Sequence, residues 1–219
     1  MTTATADQAR RVPPRRRREL GEHVARTVGT LQAQVLSDPP RPDAVAALAR
    51  LRRGIGQAPG FDYTLEAYLW VPEALLSRRP ADRADDAEQA VHDAVTLYAL
   101  HQQSRRERMH VGGQGLGFAV AGLVRASDGP DGVRRRFAAL GTASTYAESI
   151  YHLRGLITML RTHQLPLDYG LLADDLCALR RPKGRTDTQA MWGREFIRNR
   201  PGTAEGTEST TDTSEESQA

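Results

Sequence analysis

Two apolar stripes at helical spacing constrain this chain more than any other feature. Leu20, Val24, Val28, Leu31 and Val35 recur at steps of four, four, three and four. Tyr146, Ile150, Leu153, Ile157 and Leu160 repeat the pattern further on. Steps of three and four return to one side of a helix, whereas a half-buried strand alternates at every second residue. No segment shows convincing alternation. The expected class is therefore all-α, a helical bundle in two small stacked lobes with disordered termini. Aromatic residues make up only 5% of the chain, so the core must rest on Leu, Val, Ile and Ala.

The punctuation places the elements. Residues 1–18, with Pro13, Pro14 and the run Arg15–Arg18, read as a disordered basic tail. A first helix begins near Glu19 and stops before Pro39, Pro40 and Pro42. A second covers about Asp43–Arg53, with Val45, Leu48 and Leu51 inward and Gly54 as its C-cap. A short helix holds Leu65, Tyr68, Leu69 and Trp70 and breaks at Pro72. A longer one spans about Asp85–Gln103, followed by the polar loop SRRERMHVGGQG. The second half predicts helices over Leu116–Ser127, Asp131–Leu140 (closed by Gly141), Thr145–His163 and Asp168–Leu179. A last helix holds Met191, Trp192, Phe196 and Ile197. The folded domain is thus 19–198, and 199–219 reads as a disordered acidic tail.

The formal net charge of +3 hides segregation. The first 18 residues carry six arginines and one Asp, and Asn199–Ala219 carries one Arg and five acids. The body is left at about +2 by difference, so any polyanion face must come from patterning within it. From Arg105 to Arg161 nine arginines stand against Glu107, Asp128, Asp131 and Glu148. Asp62–Asp93, with eight acids and three arginines, is the acidic side. Lys183 is the only lysine. Arginine offers a planar fork that matches phosphate oxygens and stacks on bases. A folded, arginine-rich helical surface suggests a protein that holds a polyanion rather than cuts one.

Candidate chemistry is sparse. Cys177 is alone, which excludes an internal disulfide. No apolar run is long enough to span a bilayer, and the start lacks the apolar core of a secretory signal, so a cytoplasmic protein is expected. His92-Asp93 could belong to a metal-dependent phosphohydrolase, but His23, His101, His110, His152 and His163 show no ligand spacing around it. Gly112-Gly113-Gln114-Gly115-Leu116-Gly117 follows no strand and precedes no Lys-Ser/Thr, so it reads as a flexible turn rather than a nucleotide loop. Amides at the start of the Leu116 helix could still meet a phosphate. Arg134 and Arg135 are expected to project from a helix that buries Val133, Phe137 and Leu140. Arg154 interrupts an apolar helix and either pairs with Asp174 or Asp175 or lines a groove. Arg52 and Arg53 end a helix, where cations suit its dipole.

Several segments occur in an order that resembles a known family: LARLRRG at Leu48–Gly54, ALHQ at Ala99–Gln102, GLGFAVAGL at Gly115–Leu123, VRRRFAAL at Val133–Leu140, YHLRGLITMLR at Tyr151–Arg161, LPLDYGLLADDL at Leu165–Leu176 and WGREF at Trp192–Phe196. Over about Leu20–Arg198 the chain is similar to the CasB family, the small subunit of the type I-E CRISPR Cascade complex. The resemblance implies an all-α protein without catalytic activity or cofactor. It implies a second copy of itself and other Cascade subunits as partners, together with guide RNA and opened target DNA. Carried over by position, the nucleic-acid-binding residues are Arg52, Arg53, Arg106, Arg108, Arg134, Arg135 and Arg154. No membrane and no small-molecule substrate is implied. The rival reading is a purely protein-binding helical adaptor, whose arginines would be paired internally or to acidic partners.

Overall fold

The computed structural model describes residues 15–77 and 84–199. Among these the protein is all-α, and its β pairing is an isolated bridge between His110 and Leu167. The helices are α1 (Glu19–Val35), α2 (Pro42–Arg53), α3 (Glu66–Leu69), α4 (Asp86–Gln102), α5 (Leu116–Ala126), α6 (Pro130–Thr142), α7 (Tyr146–Thr162), α8 (Tyr169–Leu179) and α9 (Pro182–Arg198). Short 3-10 turns at Tyr63–Leu65 and Glu73–Leu75 flank α3.

Local signals account for most boundaries. Asp85 and Glu88 form a capping box on α4, while Thr145 caps α7 and Asp168 caps α8. Proline opens α2, α6 and α9, where its missing N–H costs nothing. Two expectations fail. Gly141 does not close α6, which runs on to Thr142; one glycine costs a helix only about 1 kcal/mol. Val45 faces solvent at 46% exposure, because α2 buries Ala44, Ala47, Leu48 and Leu51 instead. Gly54 does follow α2, but with a right-handed φ of −74°. Its role is space, since a Cβ there would collide with the Phe61 ring.

Helix α4 is the axle. Fourteen of its 17 residues are buried, so it is covered on every side rather than along one stripe. It packs on α8, α2, α7, α1 and α3. Helices α5, α6, α7 and α9 form the second group, joined to the first through α4–α7 and α8–α9 contacts. The two lobes share one continuous apolar core. Close crossings fix their geometry. At the α1–α8 crossing a Cβ on Gly170 would collide with the Gly21 carbonyl oxygen, and at the α5–α9 crossing one on Gly117 would collide with that of Trp192. Only glycine permits such approaches.

Residues 15–18 depart from the tail expected there. Arg15 donates to Asp175 at 3.1 Å and to Glu195 at 3.2 Å, Arg17 donates to Asp168 at 2.9 Å, and the Arg18 amide donates to Asp174 at 2.7 Å. The cause lies in α8 and its cap, which bring three buried carboxylates to this edge. Buried charges demand partners, and the arm supplies them. The rest of the basic tail (1–14), residues 78–83 with their three arginines, and the acidic tail beyond Asn199 lie outside the described residues.

Candidate nucleic-acid interface

The α6–α7 face is built by what each helix buries. Helix α6 turns Val133 and Leu140 inward, which leaves Arg134, Arg135 and Arg136 exposed. Helix α7 buries Leu153, Leu156, Ile157 and Leu160, which leaves Tyr151, Arg154 and Thr158 exposed at steps of three and four. A groove of about 400 Å³ runs between the helices, lined by Gly132, Arg135, Arg136, Ala139, Tyr151 and His152. Arg136 reaches across to α7, where a Cβ on Gly155 would collide with its guanidinium. Tyr151 is 69% exposed, with its ring edge-to-face against His152 at 5.3 Å.

Ion pairing separates the arginines of this face from those that brace the fold. Arg134 pairs with Asp131 at 3.0 Å in the open. Among the described residues no carboxylate lies within ion-pair distance of Arg135, Arg136 or Arg154. Arg154 is not half-buried and does not pair with Asp174 or Asp175. Asp174 accepts from the Arg18 and Gly21 amides, and Asp175 from Arg15 and Trp192. Arg15, Arg17, Arg50 and Arg180, by contrast, are bound to Asp175, Asp168, Asp62 and Asp86.

At the far end of α7, Arg161 donates to Gln103 at 3.1 Å, at the root of the loop that carries Arg106 and Arg108. Tyr151 and Arg161 are about 15 Å apart along the helix and within about 80° around it, at about 1.5 Å and 100° per residue. The stripe of α7 therefore connects the α6 arginines to the loop. Both Arg106 and Arg108 are exposed. Arg52 and Arg53 are not brought to this face, because α2 packs on α1, α4 and the 63–65 turn.

Two residues of the face lie outside the set expected from sequence. Tyr151 stands one position after Ile150, off the buried stripe, so the helical period itself marks it as outward. Arg136 carried no such signal, since the gap that admits it is Gly155 on another helix.

The glycine loop is tied to the body of the protein by side chains. The Gln102 side chain donates to Arg105 and Glu107 carbonyls and accepts from the Met109 amide, and Gln32 does the same for His110. The Gly113 amide donates to Asp168 at 2.7 Å and the Gly117 amide to Glu195 at 3.1 Å. Carboxylates of the chain thus occupy two of the amides that a phosphate could use. Burial holds His110 below the usual imidazole range and His101 near a pKa of about 3, so both are neutral. His92 and Asp93 are a buried pair at 3.2 Å, with Asp93 also accepting from Tyr146 at 2.7 Å. Among the described residues no three His, Cys, Asp or Glu side chains are placed to hold a metal. No helix of the described residues is long and apolar enough to cross a membrane.

Fold and face define a class: an all-α protein with a solvated arginine groove and no metal-ligating cluster among the described residues. The family profile of the CRISPR-associated protein Cse2 matches residues 47–196. The crystal structure of CasB from Thermobifida fusca is 41% identical, with a TM-score of 0.66 over 83% of this chain and 99% of that one. The Cse2-family CRISPR-associated protein of Thermus thermophilus is 26% identical, with a TM-score of 0.58 over 81% and 97%. M. ruber CasB shares the fold at 22% identity and a TM-score of 0.57, over 83% and 94%. None of the curated proteins matches. The chain belongs to the CRISPR-associated Cse2 family.

Proposed function

We propose that this chain is a non-catalytic subunit of an RNA-guided CRISPR surveillance complex, Cascade, and that its α6–α7 face holds the backbone of nucleic acid to stabilise opened target DNA. The observation that carries the reading is the absence, among the described residues, of carboxylate partners for Arg135, Arg136 and Arg154, around the exposed ring of Tyr151. Opening a duplex for guide pairing is a nearly balanced exchange of base pairs. Neutralising a few phosphates of one strand tips it, and each contact releases counterions. Sequence is read by the guide, so the subunit needs backbone contacts rather than base readout. The partners are the other Cascade subunits, a second copy of this chain, guide RNA and target DNA. Arg134 and the loop residues Arg106 and Arg108 extend the same face. Arg52 and Arg53 would need a separate contact.

The test is filter binding of single-stranded DNA by the Arg135→Ala/Arg136→Ala variant across salt concentrations. The expected result is weaker binding, with the log–log salt slope smaller by about 0.7 per lost phosphate contact. Undiminished binding, together with full retention of target DNA in the assembled complex, would favour the protein-binding adaptor.

A further inference from the structure

A cleft of about 190 Å³ lies beside α3 and the first turns of α4. Its lining includes Asp62, Tyr63, Glu66, Trp70, Glu88 and His92 and, among the described residues, contains no Lys or Arg. His92 is only 1% exposed, yet its Nε2 has no hydrogen-bond partner among the described residues. Its other nitrogen, Nδ1, lies 3.2 Å from Asp93 Oδ1. A carboxylate accepts, so Nδ1 donates, and in that tautomer Nε2 presents a lone pair with nothing to receive. A buried acceptor left unmade is costly and calls for a donor. Asp62 is already bound by Arg50, but among the described residues no cation lies within ion-pair distance of Glu66 or Glu88. Tyr63 is 85% and Trp70 56% exposed at the rim. His23 holds the Trp70 ring edge-to-face at 6.0 Å and bonds its carbonyl at 2.9 Å. Trp70 stands as a ridge, with a second hollow of about 450 Å³ on its other side, lined by His23, Arg26, Thr27, Tyr68 and Pro72 among others.

We infer that this cleft is a docking pocket for an arginine side chain presented by a protein partner. The guanidinium supplies several N–H donors in one plane: one for His92 Nε2, others for Glu66 and Glu88, with its face on Trp70 or Tyr63. Lysine offers no such plane, and phosphate is repelled by the carboxylates. The exposed Trp70 ridge and the Tyr68 and Pro72 side of the hollow behind it give the partner's flanking residues a contact that a free amino acid would not cover. The pocket does not depend on the proposed nucleic-acid role.

The test uses the full chain and three blocked tripeptides, Gly-Arg-Gly, Gly-Lys-Gly and Gly-citrulline-Gly, followed by calorimetry and by the ring nitrogen resonances of histidine. The arginine peptide is expected to bind saturably and shift the His92 Nε2 resonance. The lysine and citrulline peptides should bind about tenfold more weakly, and free arginine more weakly than the arginine peptide. Glu66→Gln and Trp70→Ala, both at exposed positions, should each weaken the arginine peptide about five- to tenfold while salt-dependent DNA binding stays unchanged. Equal binding of the citrulline peptide, or an unmoved His92 resonance at saturation, would overturn the assignment. Equal binding of free arginine would overturn the protein partner and reduce the pocket to a small-molecule site. Loss of DNA binding in the Arg135/Arg136 variant alone bears on the other proposal and leaves this one standing.

Discussion

Replacing Arg15 with Ala tests whether the N-terminal arm is part of the fold. Asp175 has a 5% exposed side chain, is pinned by Arg15, and accepts from Trp192 at 2.7 Å. Burial pushes its pKa up to about 6, although Arg15 and Trp192 pull it down. Removing one partner of a buried ion pair costs about 3–5 kcal/mol. The Arg15 side chain is 29% exposed, so solvent screens part of the pair and the loss falls to about 2–3 kcal/mol. For a fold of this size that is a drop of about 5–10 °C in Tm. The pH dependence gives a second, independent mark. A carboxyl whose folded pKa is raised binds its proton more tightly in the native state. The charged form therefore costs stability in full above the folded pKa, and that cost is relieved as pH falls toward the unfolded value. Without Arg15 the folded pKa of Asp175 rises further, so the variant escapes its penalty by taking up a proton. The deficit against wild type should be largest near pH 8 and shrink toward pH 5. Thermal melts of both proteins at pH 5, 6, 7 and 8 measure it. A loss under about 0.5 kcal/mol, the level of an ordinary surface substitution, or a deficit constant across that range, would refute the reasoning.

Three further outcomes are expected. Arg154→Ala should leave stability unchanged within about 0.5 kcal/mol, since Arg154 is exposed and holds neither Asp174 nor Asp175, yet should weaken single-stranded DNA binding in filter assays. Tyr151→Ala should weaken the same binding by about 1–3 kcal/mol without changing its salt slope, because stacking releases no counterions. Gly117→Ala should destabilise by about 3 kcal/mol in denaturant titrations, because the obstructing atom is the Trp192 backbone carbonyl oxygen, which cannot swing aside.

The class and most of the elements were legible along the chain. Helical periodicity is a local property, and capping residues and prolines act within a turn or two. For that reason α1 begins at Glu19 as its stripe requires, and Asp85, Thr145 and Asp168 start their helices. The outward aim of Arg134 and Arg135 was legible for the same reason, and so was the family, from the order of its motifs. Folding in three dimensions settled what depends on residues distant in the chain. Which groups hold Asp174 and Asp175 is such a case, since Arg18 and Arg15 reach α8 across about 160 residues of sequence while Arg154 stays exposed on α7. Whether the glycine loop is open hinges on Asp168 and Glu195, and the aim of Arg136 on Gly155. Charges and amides are promiscuous: any nearby opposite partner satisfies them, and spacing does not say which partner the fold brings within about 3 Å. The stripes that build the bundle can be read from spacing, whereas the arginines left free on its surface can be identified only after the others have been paired.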